Sequence, residues 1–289
     1  MEIDLVCIPC FFKQAINTLQ RLKIEKEIQK QIVKEISQKI SEIDFSLSPP
    51  VFSREIYEII SKKTNNQDPF KEIKKYTNEL ALNIWDFLEE IYEKSQNKIE
   101  TAIKIAIAGN IIDFGALPEI NINSKEILKN EVQKALSMPI SLDAFKNFEN
   151  DLKKSKNILY IGDNSGEIVF DKILIKHLKS LEKEIFFAVR GKPIINDITL
   201  EDAMQAGIQK YAKIVNSGSP IPGCDLSYCS QDFKNLFHKA DIVIAKGQGN
   251  FETLEKEKRT MYFLLRVKCK PVAKYLNKNI GDIVFVRYH

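Results

Sequence analysis

Asp163 and Asn164 close an apolar run, Ile158-Leu159-Tyr160-Ile161-Gly162, and lead into Ser165-Gly166-Glu167 and an amphipathic stretch. A buried parallel strand that ends this way delivers polar groups to the carboxyl edge of an open α/β sheet, where such folds bind ligands. A carboxylate beside an amide offers hard oxygen donors of the kind that Mg²⁺ or Mn²⁺ takes. Capping is the plainer alternative, since Asp, Asn and Ser all cap helices and an acid near a helix start is routine. One capping residue suffices for that, and a whole polar cluster after a buried strand exceeds the need. Gly166 lets the backbone turn, and the free N–H groups of a helix beginning near Glu167 would face an anion at the strand end.

Two further strand ends carry similar cargo. Arg190-Gly191-Lys192-Pro193-Ile194-Ile195-Asn196-Asp197 comes after a second apolar run, so Asp197 should emerge on the same edge as Asp163. Mg²⁺ keeps several waters and takes one or two carboxylates, so Asp163, Asn164 and Asp197 would be enough protein ligands. An Asp-capped helix from Thr199 to Gly207 explains part of the pattern, and Asp202 competes with Asp197 for the role. Ile242-Val243-Ile244-Ala245 ends in Lys246-Gly247-Gln248-Gly249-Asn250. A lysine beside backbone N–H groups holds phosphate oxygens, although the spacing is not that of a P-loop. A glycine turn with a solvated lysine is the bland alternative.

In the first half of the chain, Asn110 and Asp113 share one side of a helix end, in a segment whose apolar character makes unpaired polar groups costly. A helix stopped by Gly115 accounts for them equally well. Cys7-Ile8-Pro9-Cys10 with Cys224 and Cys229 makes a four-cysteine zinc site conceivable, but ordinary buried thiols are the better reading. The three histidines, His177, His238 and His289, give no support to a histidine-based triad or zinc hydrolase.

The elements that must position these groups change character midway. Ile28, Ile32, Val33, Ile36, Ile40 and Ile43 recur at helical spacing, and Pro49-Pro50 ends that region. A helix is expected over Ser53 to Ser61, and Asp68-Pro69 signals the start of another running from Phe70 to about Lys94. Thr101 to Ile112 reads as a buried helix. Beyond the charged stretch Glu149 to Lys156, short apolar runs take over at Ile158–Ile161, Ile185–Val189, Lys213–Val215, Ile242–Ala245, Tyr262–Val267 and Ile283–Val286. Strand–helix alternation implies a mostly parallel sheet covered on both faces. The expectation is an α/β protein: an N-terminal all-helical domain over residues 1–150, then a three-layer α/β/α domain over 151–289.

Composition narrows the class. The 289 residues include 43 basic and 39 acidic side chains, a net charge of +4 dispersed along the chain. Nucleic-acid binders concentrate Lys and Arg on one face, so no nucleic-acid partner is expected. No apolar run reaches the roughly 18 residues of a membrane span, and the N-terminus lacks the layout of a signal peptide. Five cysteines, an odd number, suit a reducing cytoplasm.

With these segments assembled, the chain resembles the metal-dependent damage-control phosphatases, also called the acidic-residue methyltransferase-like family and long catalogued as a domain of unknown function. Its matching segments are Cys7–Cys10, Asp68-Pro69-Phe70, Ala108–Asp113, Gly162–Glu167, Arg190–Thr199 and Lys246–Glu252, and they suit the cysteine-bearing microbial branch. The resemblance implies a divalent ion (Mg, Mn, Co or Ni) on Asp163, Asn164 and Asp197, between the helical and α/β parts. It implies a substrate cleft lined by Asn110, Asp113 and Lys246, and the same motifs put Glu167, Arg190, Gly247 and Asn250 beside the substrate. The expected activity is hydrolysis of a small phosphorylated metabolite, a sugar phosphate or damaged cofactor precursor, with Asp163 either holding the ion or attacking phosphorus. One rival is an S-adenosylmethionine-dependent carboxyl methyltransferase, which the family's other name suggests, although a Gly-x-Gly turn after the first strand is missing. Another is a non-catalytic metal or metabolite sensor. Oligomeric state is not legible.

Overall fold

The structure is a computed structural model and describes residues 1–111 and 125–288; Asp113 and Gly115 lie outside the described residues. The N-terminal helices are α1 (Cys7–Arg21), α2 (Lys26–Ser41), α3 (Pro49–Thr64), α4 (Lys71–Leu82), α5 (Trp85–Lys94), α6 (Lys98–Ala108), α7 (Lys125–Ser137) and α8 (Leu142–Lys154). The second half alternates β1 (Asn157–Ile161), α9 (Glu167–Ser180), β2 (Glu184–Val189), α10 (Leu200–Ala206), β3 (Lys213–Asn216), α11 (Gln231–Lys239), β4 (Ile242–Lys246), α12 (Gly247–Leu254), β5 (Met261–Arg266), α13 (Lys270–Leu276) and β6 (Ile283–Tyr288).

All six apolar runs are strands of one sheet, ordered β3-β2-β1-β4-β5-β6. The first five are parallel and β6 runs antiparallel to β5. Strands buried on both faces need apolar side chains at every position, which is why β1 and β4 read as continuous runs. The chain winds outward from β1 to β3, then returns to β4 beside β1. The carboxyl ends of β1 and β4 therefore flank the topological switch point, where open α/β sheets leave a crevice.

Side-chain alternation assigns the two faces. Ile158, Tyr160, Ile242 and Ile244 belong to one core with α9, α10 and the helices from α4 to α8. Leu159, Ile161, Val243 and Ala245 belong to the other, with Phe233 and Phe237 of α11, Phe251 and Leu254 of α12 and Val272 of α13. The result is an α/β/α sandwich in which much of the helical half covers a sheet face. Phe148 of α8 illustrates this, with its ring centroid 4.8 Å from Tyr262 on β5. Helices α1 to α3 keep a separate core around Phe11, Ile32, Ile36 and Ile56, joined by Ile194 and Ile195 from the loop after β2.

Several expectations for the helical half are corrected. Pro49-Pro50 does not end a helical region but starts α3, because proline loses nothing in a first turn whose N–H groups are unpaired anyway. The segment from Phe70 to Lys94 is two helices broken at Asn83-Ile84, without a glycine or proline to announce the break. The Cys7-Ile8-Pro9-Cys10 segment is the first turn of α1, a helix whose buried positions include Phe11, Ala15 and Leu19.

Candidate active site at the switch point

Two backbone hydrogen bonds, which together make one antiparallel bridge, stitch the loop after β1 to the loop after β2. Ile198 N–H donates to Asp163 O at 2.9 Å and Ser165 N–H donates to Asn196 O at 2.9 Å, so that Asn164 and Asp197 pair across the bridge. Asp163, Asn164 and Asp197, drawn from two separate loops, thus form one wall. Ile195 holds φ at 46° within this region, a left-handed conformation that is strained for a β-branched side chain and typical of functional loops.

Arg190 braces the wall from behind. Its Nε donates to Asp197 Oδ2 at 2.7 Å, one terminal nitrogen donates to Asn250 Oδ1 at 3.2 Å, and the same nitrogen lies 3.7 Å from Asp163 Oδ1. Asn250 returns to the backbone, donating to Gly162 O at 3.0 Å and Lys246 O at 2.6 Å. Arg190 and Asn250, expected beside the substrate, thus hold the wall and the strand ends together and do not line the cavity in front of it. Gly247 is required by closeness as well as by its φ of 76°: a Cβ there would stand 1.8 Å from Asp163 Oδ2.

A cavity of about 160 Å³ opens in front of this wall, lined by Asp163, Asn164 and Asp197 together with Gln248, Glu252, Lys268 and residues of α1 and α3. The helical face of the cleft is thus built by Cys7, Cys10 and Gln14 of α1 and by Pro49, Pro50 and Ser53 of α3, and Asn110 is not part of it. Asn110 is fully buried, donates to Glu167 and accepts from Arg266 N–H at 3.0 Å.

Lys246 is also absent from the cavity wall. Its parity on β4 sends it to the opposite face, where Nζ donates to Ala106 O at 2.9 Å, to Asp171 at 2.7 Å and to Glu167. All three side chains of this cluster are fully buried. Burial pushes the Asp171 carboxyl up to about 7 against the pull of Lys246. Glu167 connects this cluster to the site, since Asn164 Nδ2 lies 3.4 Å from its Oε2. Asp202, the rival to Asp197, caps α10 in a capping box with Thr199 and pairs with Lys74 at 3.1 Å.

The wall suits a hard divalent cation. Burial, then the neighbouring Glu167 and Asp197, push the Asp163 carboxyl well above the usual carboxylate range, while Lys268 and Arg190 oppose the shift. A buried carboxylate short of positive charge is a place where a bound cation is favourable. Among the described residues no three His, Cys, Asp or Glu side chains gather as a ligand set; the donors here are two carboxylates and an amide. The cysteines divide differently from a four-thiol site. Cys224 and Cys229 face one another at 3.7 Å, whereas Cys7 and Cys10 join Cys269 along the cavity.

Sequence reasoning missed Lys268, Glu252 and the contribution of α1. Lys268 comes immediately after a strand pattern, so the strand-end logic that singles out Asp163 applies to it. Glu252 closes the same motif as Lys246. For α1 the one signal was the Cys7–Cys10 motif, whose spacing alone does not place it at the cleft.

A doubly wound sheet with two carboxylates and an amide at its switch point places polar groups where α/β folds bind ligands. Residues 3–284 match the family model of the damage-control phosphatase ARMT1-like domain. A damage-control phosphatase of Pyrococcus horikoshii is 34% identical over 290 residues, covering 99% of this chain and 98% of that one. An uncharacterized protein of Methanocaldococcus jannaschii is 34% identical over 99% of this chain and 96% of its own length. A damage-control phosphatase of Archaeoglobus fulgidus is 32% identical over 80% of this chain and 78% of its own. The crystal structure of a DUF89 family protein from Pyrococcus horikoshii superposes with a TM-score of 0.90 at 33% identity, covering 100% of both chains. The chain belongs to the ARMT1-like damage-control phosphatase family. Among the described residues no helix is long and apolar enough to cross a membrane.

Proposed function

We propose that this protein is a metal-dependent phosphatase that hydrolyses a small phosphorylated metabolite, a sugar phosphate or a damaged cofactor precursor. The observation that carries the reading is the convergence of Asp163, Asn164 and Asp197 on one cavity that also contains Lys268. Asp163, Asn164 and Asp197 would hold a divalent ion, with Mg, Mn, Co and Ni as the candidates. Such an ion supplies Lewis-acid polarisation of a phosphoryl oxygen and lowers the pKa of water.

The chain's own residues do the rest. Arg190 fixes Asp197 and Asn250, so the donor set is ordered before substrate arrives. Lys268 supplies the cation for the non-bridging phosphoryl oxygens, the role expected of Lys246, whose ammonium is committed to Glu167 and Asp171. The first turn of α12 adds N–H groups of Gln248 and Gly249 at the same cavity, and such groups favour an anion.

The test is a panel of phosphorylated metabolites assayed for free phosphate with Mg²⁺, Mn²⁺, Co²⁺ and Ni²⁺ in turn. Metal-dependent release from at least one member is expected. Tight binding of panel members without turnover of any would instead favour a sensor.

A further inference from the structure

Glu252 lines the same cavity, yet neither ion binding nor phosphate neutralisation uses it. It lies on α12, 8% exposed. Its Oε1 accepts from Gln248 Nε2 at 2.8 Å. Gln248 cannot reverse freely: its Oε1 accepts from Lys268 N–H at 3.1 Å, which fixes the amide nitrogen toward Glu252 and Cys269. The carboxyl is therefore held through Oε1 on the wall of the cavity that Asp163, Asn164 and Asp197 also line.

We propose that Glu252 is the general acid that protonates the leaving oxygen of the phosphomonoester. The proposal rests on the phosphatase reading above and adds the residue that makes alkyl esters cleavable. As the bond between phosphorus and the ester oxygen breaks, its electron pair goes to that oxygen, which takes the Glu252 proton. Water supplies the new oxygen on phosphorus. The products are the free alcohol and hydrogenphosphate, and the Glu252 carboxylate recovers a proton from the one released by the attacking water.

The surroundings suit this role. Burial pushes the Glu252 carboxyl up to about 7, against Gln248, the chain's terminal ammonium and Lys268, so the acid form is available near neutral pH. The titratable and charged groups around it are Asp163 and Asp197 on the same cavity, Cys7 and Cys10 of α1, Lys268 and Cys269 of the loop after β5, and the Met1 ammonium, which donates to the Glu252 backbone oxygen and pairs with Glu255 at 2.8 Å. Asp225 and Lys256 border a cavity on its other side. Among the thiols, burial holds Cys7 up at about 11 and Cys269 above its ordinary value, so both are poorer proton donors at neutral pH.

The leaving group provides the test. An alkoxide needs a proton as it departs, whereas p-nitrophenolate is stable without one. Wild type and Glu252→Gln are compared on glycerol phosphate and on p-nitrophenyl phosphate with the most active metal of the panel. The loss of kcat on the alkyl ester should exceed the loss on the aryl ester by about 10²-fold, the scale of general-acid assistance. The wild-type alkyl reaction should also fall above about pH 7, and that alkaline limb should vanish in the variant. Equal losses on both esters would overturn the role of Glu252 while leaving the phosphatase reading intact. No release by wild type from these esters or from any member of the metabolite panel, with any metal, would overturn both.

Discussion

Arg190 Nε stands 2.7 Å from Asp197 Oδ2, and the two side chains are 1% and 5% exposed. Both come from the loop after β2, so the proposed metal-binding wall carries its own buried counter-ion. Removing one partner of such a pair strands the other in a desolvated site. Arg190→Met should therefore lower stability by about 3–5 kcal/mol and weaken divalent-ion binding, because Asp197 and Asn250 lose their common anchor. Urea denaturation without metal, paired with calorimetric titration of Mn²⁺, checks both effects.

Gly247 tests the closeness of the two strand ends across the switch point. Gly247→Ala introduces a methyl group into the volume of Asp163 Oδ2, at a backbone conformation that L residues resist. The variant should lose metal-dependent phosphate release by at least about tenfold (about 1.4 kcal/mol in the barrier). A variant with unchanged release would mean that Asp163 tolerates displacement.

Much of this architecture is legible because central parallel strands leave an unmistakable trace: β1 and β4 are apolar at nearly every position. The antiparallel direction of β6 is not legible, since an apolar run has no direction. Asp163, Asn164 and Asp197 stand out because a polar cluster beyond the end of a buried strand exceeds what capping needs. The same criterion misleads at Lys246, because it is still the last residue of β4 and its side chain obeys strand alternation. A single position separates a residue aimed beneath α9 from one on the rim. The bracing by Arg190 and Asn250 and the cleft wall from α1 depend on contacts between segments far apart in sequence, and no local pattern encodes them.

The two lysines should separate cleanly. Lys246→Met leaves Glu167 and Asp171 buried without their ammonium and should cost about 3–5 kcal/mol of stability, read as a lowered urea midpoint. Lys268→Ala, at a half-buried position on the cavity, should keep stability within about 1 kcal/mol while kcat/KM falls about 10²-fold. A large loss of stability in Lys268→Ala with little loss of activity would reverse the assignment.

Glu252 should leave a signature in stability as well as rate. Its carboxyl titrates near 4.5 when unfolded and about 7 when folded, so the native state binds the proton more tightly. Wild type accordingly loses stability as pH rises from about 4.5 to 7, by an amount on the order of 3 kcal/mol. Glu252→Gln lacks that titration. The variant should gain on wild type between about pH 5 and about pH 8 in urea unfolding, and a constant difference would contradict the shifted carboxyl.

The site proposed at Asp163, Asn164 and Asp197 holds a divalent ion on which phosphate release depends. The most direct test is phosphate release by wild type and Asp163→Asn, across a Mn²⁺ titration, on the best substrate of the panel. Wild type should require the ion, and Asp163→Asn should release no phosphate above background at any Mn²⁺ concentration while remaining folded. Near-normal turnover by Asp163→Asn, or full wild-type turnover after chelation, would contradict the account.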